Sequence, residues 1–409
     1  MNIVLEPGAA ALLDELHRAG FGAYAVGGCV RDSLLGLAPH DWDLCTAARP
    51  GQVMELFGEG RCIPTGLQHG TVTVKRDGKL YEITTFRTEG RYSDGRHPDS
   101  VAFVPDLRED LARRDFTINA MAYSAEEGLC DPFGGREDLA RGVVRAVGEP
   151  LRRFGEDALR ILRLYRFAAR FGFAIDEATE AAAKQLASHL DCVSAERIEE
   201  ELNKLLAAPQ PGAYLEPEVL AFVLPELPPE ELTKARRRID ALPAGTEQVS
   251  ARWAALLMPL GETGARKALK RLKCSNARID GAAALVRECG EKTPDTLDKC
   301  DLRLQAKRLL GKYDLHTVQQ LTALWTALAP EEKASFDALR AEAEALTAQG
   351  VCCRISQLAV NGRDLMAAGA APGPGLRRVL EALLEEVITG RLPNEKTELL
   401  AFAAGFSAS

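Results

Sequence analysis

The run Gly27-Gly28-Cys29-Val30-Arg31-Asp32, followed nine residues on by Asp41-Trp42-Asp43, restricts the fold more than any other stretch of the chain. Phe21–Val26 is a short apolar run ending at the glycine pair, and Val30–Leu35 has a helical pattern, so a strand should run into a glycine turn and then a helix. Pro7–Ala19 reads as a preceding helix stopped by Gly20. Asp41–Thr46 reads as the next strand. Residues i and i+2 of a strand leave the same face, which would aim the Asp41 and Asp43 carboxylates at one point. Like charges held so close call for a cation, and hard oxygen ligands with room for water and phosphate suit Mg²⁺. The glycine pair lets backbone N–H groups approach a phosphate at the helix N-terminus, with Arg31 as a charge-assisted donor. A metal beside a phosphate cradle is equipment for phosphoryl transfer. The plain alternative is a turn and an exposed D-x-D. A lone D-x-D is common by chance, but the two together at this spacing are specific.

Further along, Thr71–Lys75 and Leu80–Phe86 flank Asp77-Gly78, a strong hairpin signal, and the first 150 residues sum to a small α/β domain with a mixed sheet. Glu82, between Tyr81 and Ile83, is either a third carboxylate for the same site or the solvent-facing member of a strand alternation. In Arg113-Arg114-Asp115-Phe116, Arg114 and Asp115 can hold a triphosphate and a ribose hydroxyl, or form an interdomain ion pair beside a buried helix start.

Glu156-Asp157-x-x-Arg160-x-x-Arg163-x-x-Arg166 falls within Phe154–Phe171, which has helical periodicity, so Asp157 and Arg160 become neighbours. A carboxylate only accepts hydrogen bonds and a guanidinium only donates. Cytosine and adenine both show an amine donor beside a bare ring nitrogen, whereas guanine and uracil show the reverse. Asp157 with Arg160 therefore suits C and A, and leaves buried groups unpaired against G or U. Glu156 can orient Arg160, and Arg163 and Arg166 extend a basic ridge. The alternative is an ordinary salt-bridge ladder on an exposed helix.

Past Leu151 helical patterns dominate, and 409 residues are too many for one core, so two to four domains are expected. The ten cysteines form no C-x-x-C pair, which argues against zinc. MNIVLEPGAA is not a signal peptide and no segment suits a bilayer, so the sequence predicts a cytosolic protein. A net charge of −8 speaks against a nucleic-acid partner, but from Gly261 to Lys312 13 Lys and Arg stand against 7 Asp and Glu. Local field, more than global charge, governs such binding.

Together these residues resemble the class II tRNA nucleotidyltransferases and bacterial poly(A) polymerases of the polymerase β superfamily. The resemblance rests on GGCVRD…DWD, TTFRTEGRYSDGRHPDSVAFV, LARRDFTINAMA, DPFGGREDL, FGEDALRILRLYRF and SAERIEEEL, in order from Val26 to Leu206. It continues more weakly through LKRLKCSN and LAVNGRDLMAAGAAPGPG. It implies an α+β protein: a mixed-sheet head (1–140), a helical neck reading the base (141–207), and a helical body (208–330) and tail (331–409) gripping tRNA. It implies Asp41 and Asp43 as Mg²⁺ ligands, Gly28 and Arg31 on the triphosphate, Arg114 as a further nucleotide contact, and Asp157 with Arg160 as a protein template beside Arg163 and Arg166. The basic Arg266–Arg278 helix and the Gly362–Gly375 segment become candidate RNA contacts.

The implied reaction joins CMP, CMP and AMP from CTP and ATP to the tRNA 3′ end, with Asp43 or Glu82 helping to deprotonate the attacking hydroxyl. Thr88–Leu107, with Arg91, Arg96 and His97, looks complete, which disfavours CC-only addition. The long basic extension of the poly(A) polymerases is lacking. Addition of A alone, beside a CC-adding partner, is the closest rival. An inactive tRNA-binding scaffold fits poorly with the intact Asp41/Asp43 pair, and a small-molecule acceptor fits poorly with so long a helical remainder.

Overall fold

Helix α1 (Pro7–Arg18) starts on a proline, whose fixed φ suits a first turn, and the N-cap Glu6 side chain accepts from Ala9 N. Its Leu12, Leu13 and Leu16 are buried. Strand β1 (Ala23–Val26) is buried along its length. At its end Gly27 takes φ 78°, a left-handed value that favours glycine, and α2 (Gly28–Leu34) begins. The computed structural model describes residues 3–90, 100–291 and 301–406.

Strand β2 spans only Leu44–Thr46, so the expected strand over Asp41–Thr46 is corrected: both aspartates lie in the extended segment before it. The reason is register. Ala25 pairs with Leu44, and beyond Val26 the chain turns into α2, leaving the aspartates no length of β1 to pair with. A single bond, Val26 N to the Asp43 carbonyl at 3.0 Å, ties the segment down.

After α3 (Pro50–Phe57) come β3 (Cys62–Gly66), β4 (Thr71–Arg76) and β5 (Lys79–Thr85). Asp77 and Gly78 both take positive φ, 50° and 76°, the two-residue geometry that an Asp-Gly hairpin signal calls for. Next are β6 (Arg87–Glu89), β7 (Val101–Phe103), α4 (Leu107–Ala112), β8 (Ala122–Ser124) and β9 (Gly128–Cys130). The sheet runs β3-β4-β5-β2-β1-β8-β9; β2 and β5 are parallel and the other neighbours antiparallel. β6 and β7 pair separately. Arg91, Arg96 and His97 lie outside the described residues.

Then follow α5 (Gly135–Arg141), β10 (Val143–Val144), α6 (Pro150–Glu156), α7 (Leu159–Phe171), β11 (Ala174–Ile175), α8 (Glu177–Gln185) and α9 (Ala195–Leu206). The single helix expected across Asp157 is a second correction. Asp157 adopts extended backbone (φ −146°, ψ 106°), and its Oδ1 accepts from Leu159 N at 3.0 Å. Aspartate competes for backbone donors in this way, which makes it a better cap than interior residue.

The chain divides into two compact units: Met1–Pro229 with Arg271–Lys273, and Glu230–Lys270 with Cys274–Ser409. The first holds the sheet and every candidate catalytic and nucleotide-binding residue. The second is helical, and one of its cores gathers Leu365, Leu383, Val387 and Leu399. No helix of the described residues is long and apolar enough to cross a membrane.

Candidate active site

Asp41 is 81 % exposed at its side chain, and its Oδ2 lies 2.9 Å from His40 Nδ1. Leu44 stands opposite Ile83 in the parallel pair, so one step back Asp43 runs beside Glu82. Asp43 keeps contact with solvent, yet partial withdrawal from water pushes its pKa up. The Arg114 guanidinium pulls the other way, and the Glu82 and Asp41 carboxylates reinforce the rise. Glu82 faces solvent, as the strand alternation requires, and its charge is felt at Asp43. Among the described residues no three His, Cys, Asp or Glu side chains gather round one point. Asp41 and Asp43 lie within electrostatic reach of each other, each partly offset by His40 or Arg114, and such a pair fits a hard cation that completes its shell with water and phosphate oxygens.

Beside this corner a cavity of about 450 Å³ is lined by Gly27, Gly28 and Asp43 and by the arginine face of α7. Eight arginines against three aspartates line it, a formal excess of five positive charges. Such a field suits a polyanion of triphosphate size. A Cβ on Gly27 would sit 2.7 Å from Arg114 Nη1, so glycine serves both the turn and the arginine's approach. Arg31, 4 % exposed, donates its Nε to Asp32 Oδ1 at 2.8 Å and its Nη1 to Asn119 Oδ1.

Asp115 lines the cavity but is already engaged. Its Oδ1 accepts from Phe116 N (2.8 Å) and Asn119 Nδ2 (3.0 Å), and its Oδ2 from Arg163 Nε (2.8 Å). Burial alone would raise its pKa, but Arg163 and Asn119 hold it well below the usual carboxylate range. Of the two sequence-based expectations for Asp115, this geometry is that of the ion pair. Arg166 lies 2.7 Å from Glu201, and burial lowers its pKa to about 10, leaving it cationic near neutrality.

Asp157 and Arg160 both line the cavity. Asp157 Oδ2 accepts from Arg197 Nη2 at 2.7 Å. Arg160 Nη1 donates to Glu156 Oε2 (2.7 Å) and to the Arg153 carbonyl (3.0 Å), and its Nη2 to the Arg113 carbonyl (3.2 Å). The orienting role expected of Glu156 thus has its contact. Each Asp157 oxygen keeps accepting capacity, and Arg160 keeps its Nε–H and one Nη2–H, so the pair can still present one acceptor and one donor to a base edge.

Several residues of this site escaped sequence reasoning. Asp110, fully buried, binds Arg113 (3.0 Å) and lies 3.6 Å from Arg114. Its spacing three and four residues before them was a usable signal. Arg197 carries no local sign, since its partner Asp157 is 40 residues away, and of the two partners of Asn119 only Asp115 is near in sequence, Arg31 lying 88 residues off. Of the basic Arg266–Arg278 segment, Arg266 is paired with Glu262 (3.0 Å) and Asp280 (2.7 Å).

Three family models match the chain: "Poly A polymerase head domain" over residues 23–145, "Probable RNA and SrmB-binding site of polymerase A" over 172–228, and "tRNA nucleotidyltransferase domain 2 putative" over 245–403. The chain is 38 % identical to the CCA-adding enzyme of Limosilactobacillus fermentum, over 96 % of this chain and 95 % of that one. It is 39 % identical to the CCA-adding enzyme of Latilactobacillus sakei, over 96 % of each. The Bacillus stearothermophilus CCA-adding enzyme in complex with CTP superposes with a TM-score of 0.80 at 33 % identity, over 99 % of this chain and 98 % of that one. The Thermotoga maritima CCA-adding enzyme complexed with tRNA shares the fold, with a TM-score of 0.69 at 22 % identity over 98 % and 96 %.

Proposed function

The chain belongs to the family of CCA-adding enzymes, and from that premise we propose that it adds CMP, CMP and AMP, taken from CTP and ATP, to the 3′ end of tRNA without a nucleic-acid template. The observation that carries this reading is the cavity in which eight arginines face a glycine turn and the Asp43 carboxylate. We assign the head to residues 1–140, the base-reading neck to 141–207, and the tRNA-gripping body and tail to 208–330 and 331–409. We assign the chain to the cytoplasm, a compartment that holds tRNA, CTP and ATP together.

In this reading Asp41 and Asp43 hold Mg²⁺. Held by these two carboxylates, Mg²⁺ would supply charge neutralisation for the triphosphate and ease loss of the 3′-hydroxyl proton. Gly28, Arg31 and Arg114 receive the triphosphate, with Arg163 and Arg166 extending the positive field along α7. Asp115 acts by fixing Arg163. Asp157 accepts from the exocyclic amine of C or A while Arg160 donates to the bare ring nitrogen. The tRNA 3′ oxygen forms a bond to the α-phosphorus as the bond from that phosphorus to the bridging oxygen breaks, and pyrophosphate leaves. In this reading Asp43 or Glu82, the latter exposed beside it, takes the hydroxyl proton. The sequence is near balance in bond types, so most of the rate comes from alignment and charge neutralisation.

The deciding experiment gives purified protein Mg²⁺ and three tRNA transcripts, ending before CCA, after C and after CC. CTP, ATP, both, or GTP with UTP are supplied, and products are resolved to single nucleotides. Three additions to the bare end, requiring both CTP and ATP, are expected. Extension of the CC-ended transcript alone, or long A tails, would overturn the reading.

A further inference from the structure

We propose that Phe167 is a positioning residue of the nucleotide site, whose ring face holds the phosphate-facing guanidiniums together; this rests on the nucleotide-binding reading above. Phe167 lines the cavity and is 4 % exposed. The guanidinium carbons of Arg166, Arg31 and Arg163 lie 4.0, 5.1 and 5.4 Å from its ring centroid. Arg31 comes from α2, beside the glycine turn, while the other two come from α7 with Phe167 itself. The ring is held in turn. Phe116 meets it edge-on at 5.8 Å, and Phe171 stacks at 6.3 Å with its own face 4.9 Å from Arg31.

Three like charges this close repel. Carboxylates offset the charge in part: Arg31 has Asp32, Arg163 has Asp115, and Glu201 serves Arg166 at 2.7 Å and Arg163 more distantly at 3.9 Å. None of these carboxylates pairs with all three, and none ties Arg31 to the two arginines of α7. Phe167 lies within cation–π range of all three, and its electron-rich face attracts each cation. A carboxylate at this place would draw the arginines together but repel an incoming triphosphate. An aliphatic side chain would fill the space without attracting them. An aromatic face binds the flat of a guanidinium and leaves its N–H edge for phosphate oxygens. The ring also fixes α2 against α7, and so sets the span between the phosphate arginines and the base-reading Asp157 and Arg160.

The test keeps the ring's shape and changes its face. Phe167 is replaced in the full chain by 4-fluoro-, 3,5-difluoro- and pentafluorophenylalanine, which weaken the cation–π attraction stepwise. KM and kcat are read for CTP on the bare-ended transcript and for ATP on the CC-ended one. KM for both nucleotides should rise with fluorine count, reaching about tenfold, as expected for loss of a largely desolvated cation–π contact. kcat should change less than about twofold, because an interaction made equally in ground and transition states moves KM alone. Rejection of GTP and UTP should not move. A flat KM across the series overturns the proposal. So does a rise that tracks a falling Tm instead of the fluorine count, or one confined to a single nucleotide, which would put the ring against a base. Failure of the unsubstituted protein to extend tRNA would sink the underlying reading; normal extension with a flat series would sink this proposal alone.

Discussion

Asp41 and Asp43 reach the site from an extended segment that the sheet barely holds, whereas Asp115 and Asp157 are each gripped by an arginine from a helix remote in sequence. The first pair sits among carboxylates, with Asp43 pushed towards the neutral form. The second pair is set among cations, Arg163 at 2.8 Å from Asp115 and Arg197 at 2.7 Å from Asp157. The two groups do different work. Residues that bind a metal need charge left unbalanced in the folded chain, so that the ion supplies the balance. Residues that select a base need fixed directions, and fixing them takes supporting hydrogen bonds from further out. A site built wholly in the first way would be soft, and one built wholly in the second would have no affinity left for a metal.

The widest separation of the two regions should come from Asp41→Ala or Asp43→Asn. Transfer should fall by at least about 10³-fold, the scale of losing a principal charge-stabilising element. Thermal stability measured without divalent ions should hold or rise, because a repulsion has been removed. Normal turnover would remove the metal assignment. A large drop in Tm would erase the contrast, since these carboxylates would then be structural as well.

Asp115→Ala should do the reverse. It leaves Arg163 with a lone, distant carboxylate, Glu201 at 3.9 Å. Loss of one partner from a fully buried pair costs about 3–5 kcal/mol, and the solvent access of Arg163, 34 % exposed at its side chain, brings the expected cost to about 2–3 kcal/mol. Denaturant unfolding of the whole chain measures it, and a loss below about 1 kcal/mol would show that the pair is not buried in effect. Asp157→Ala comes next in size. It should keep metal-dependent transfer but lose discrimination against GTP and UTP by about 10–100-fold, the equivalent of one mispaired buried hydrogen bond. Unchanged nucleotide preference would refute the base-reading role of Asp157.

The contrast was half legible in the sequence. The glycine pair, the two aspartates and the Asp-Gly turn declare themselves within a few residues, because turn conformation and strand alternation are local physics. The proposed metal corner is legible without the fold, although alternation extends the strand three residues beyond its observed start. It begins only at Leu44 because β1 turns away at Gly27, a fact about the neighbouring strand. Helical periodicity likewise carried through Asp157, where a capping bond to Leu159 N breaks the helix. Asp157 reads as a helix residue by its neighbours and as a cap by its own side chain, and the second wins. What stayed hidden is the bracing. Arg197 on Asp157 and Arg163 on Asp115 join residues 40 and 48 apart, and only packing brings them together. The ring shared by Arg31, Arg163 and Arg166 is hidden for the same reason, since one of its cations belongs to a different element.

The smallest effect expected is on the pH dependence of stability, and it should have opposite signs in the two regions. The Asp115 pKa is lowered on folding, so the unfolded chain binds its proton more readily. Its contribution is present above the ordinary aspartate value of 3.8 and is lost as pH falls below it. The Asp43 pKa is raised, so the folded chain binds that proton more readily. Its contribution is present below 3.8 and is lost as pH rises from there through the folded value. Unfolding followed in chelator from about pH 2 to 7 takes in the start of the Asp115 loss below 3.8 and the Asp43 loss above it, and should change slope in opposite directions in two variants. Asp115→Asn should flatten the acid limb. Asp43→Asn should remove a decline towards neutral pH, and adding Mg²⁺ to the unsubstituted protein should remove the same decline by holding Asp43 ionised at no cost. If both variants shifted the curve in one direction, the two carboxylate regions would share a single electrostatic character, and the division of labour drawn between them would fail.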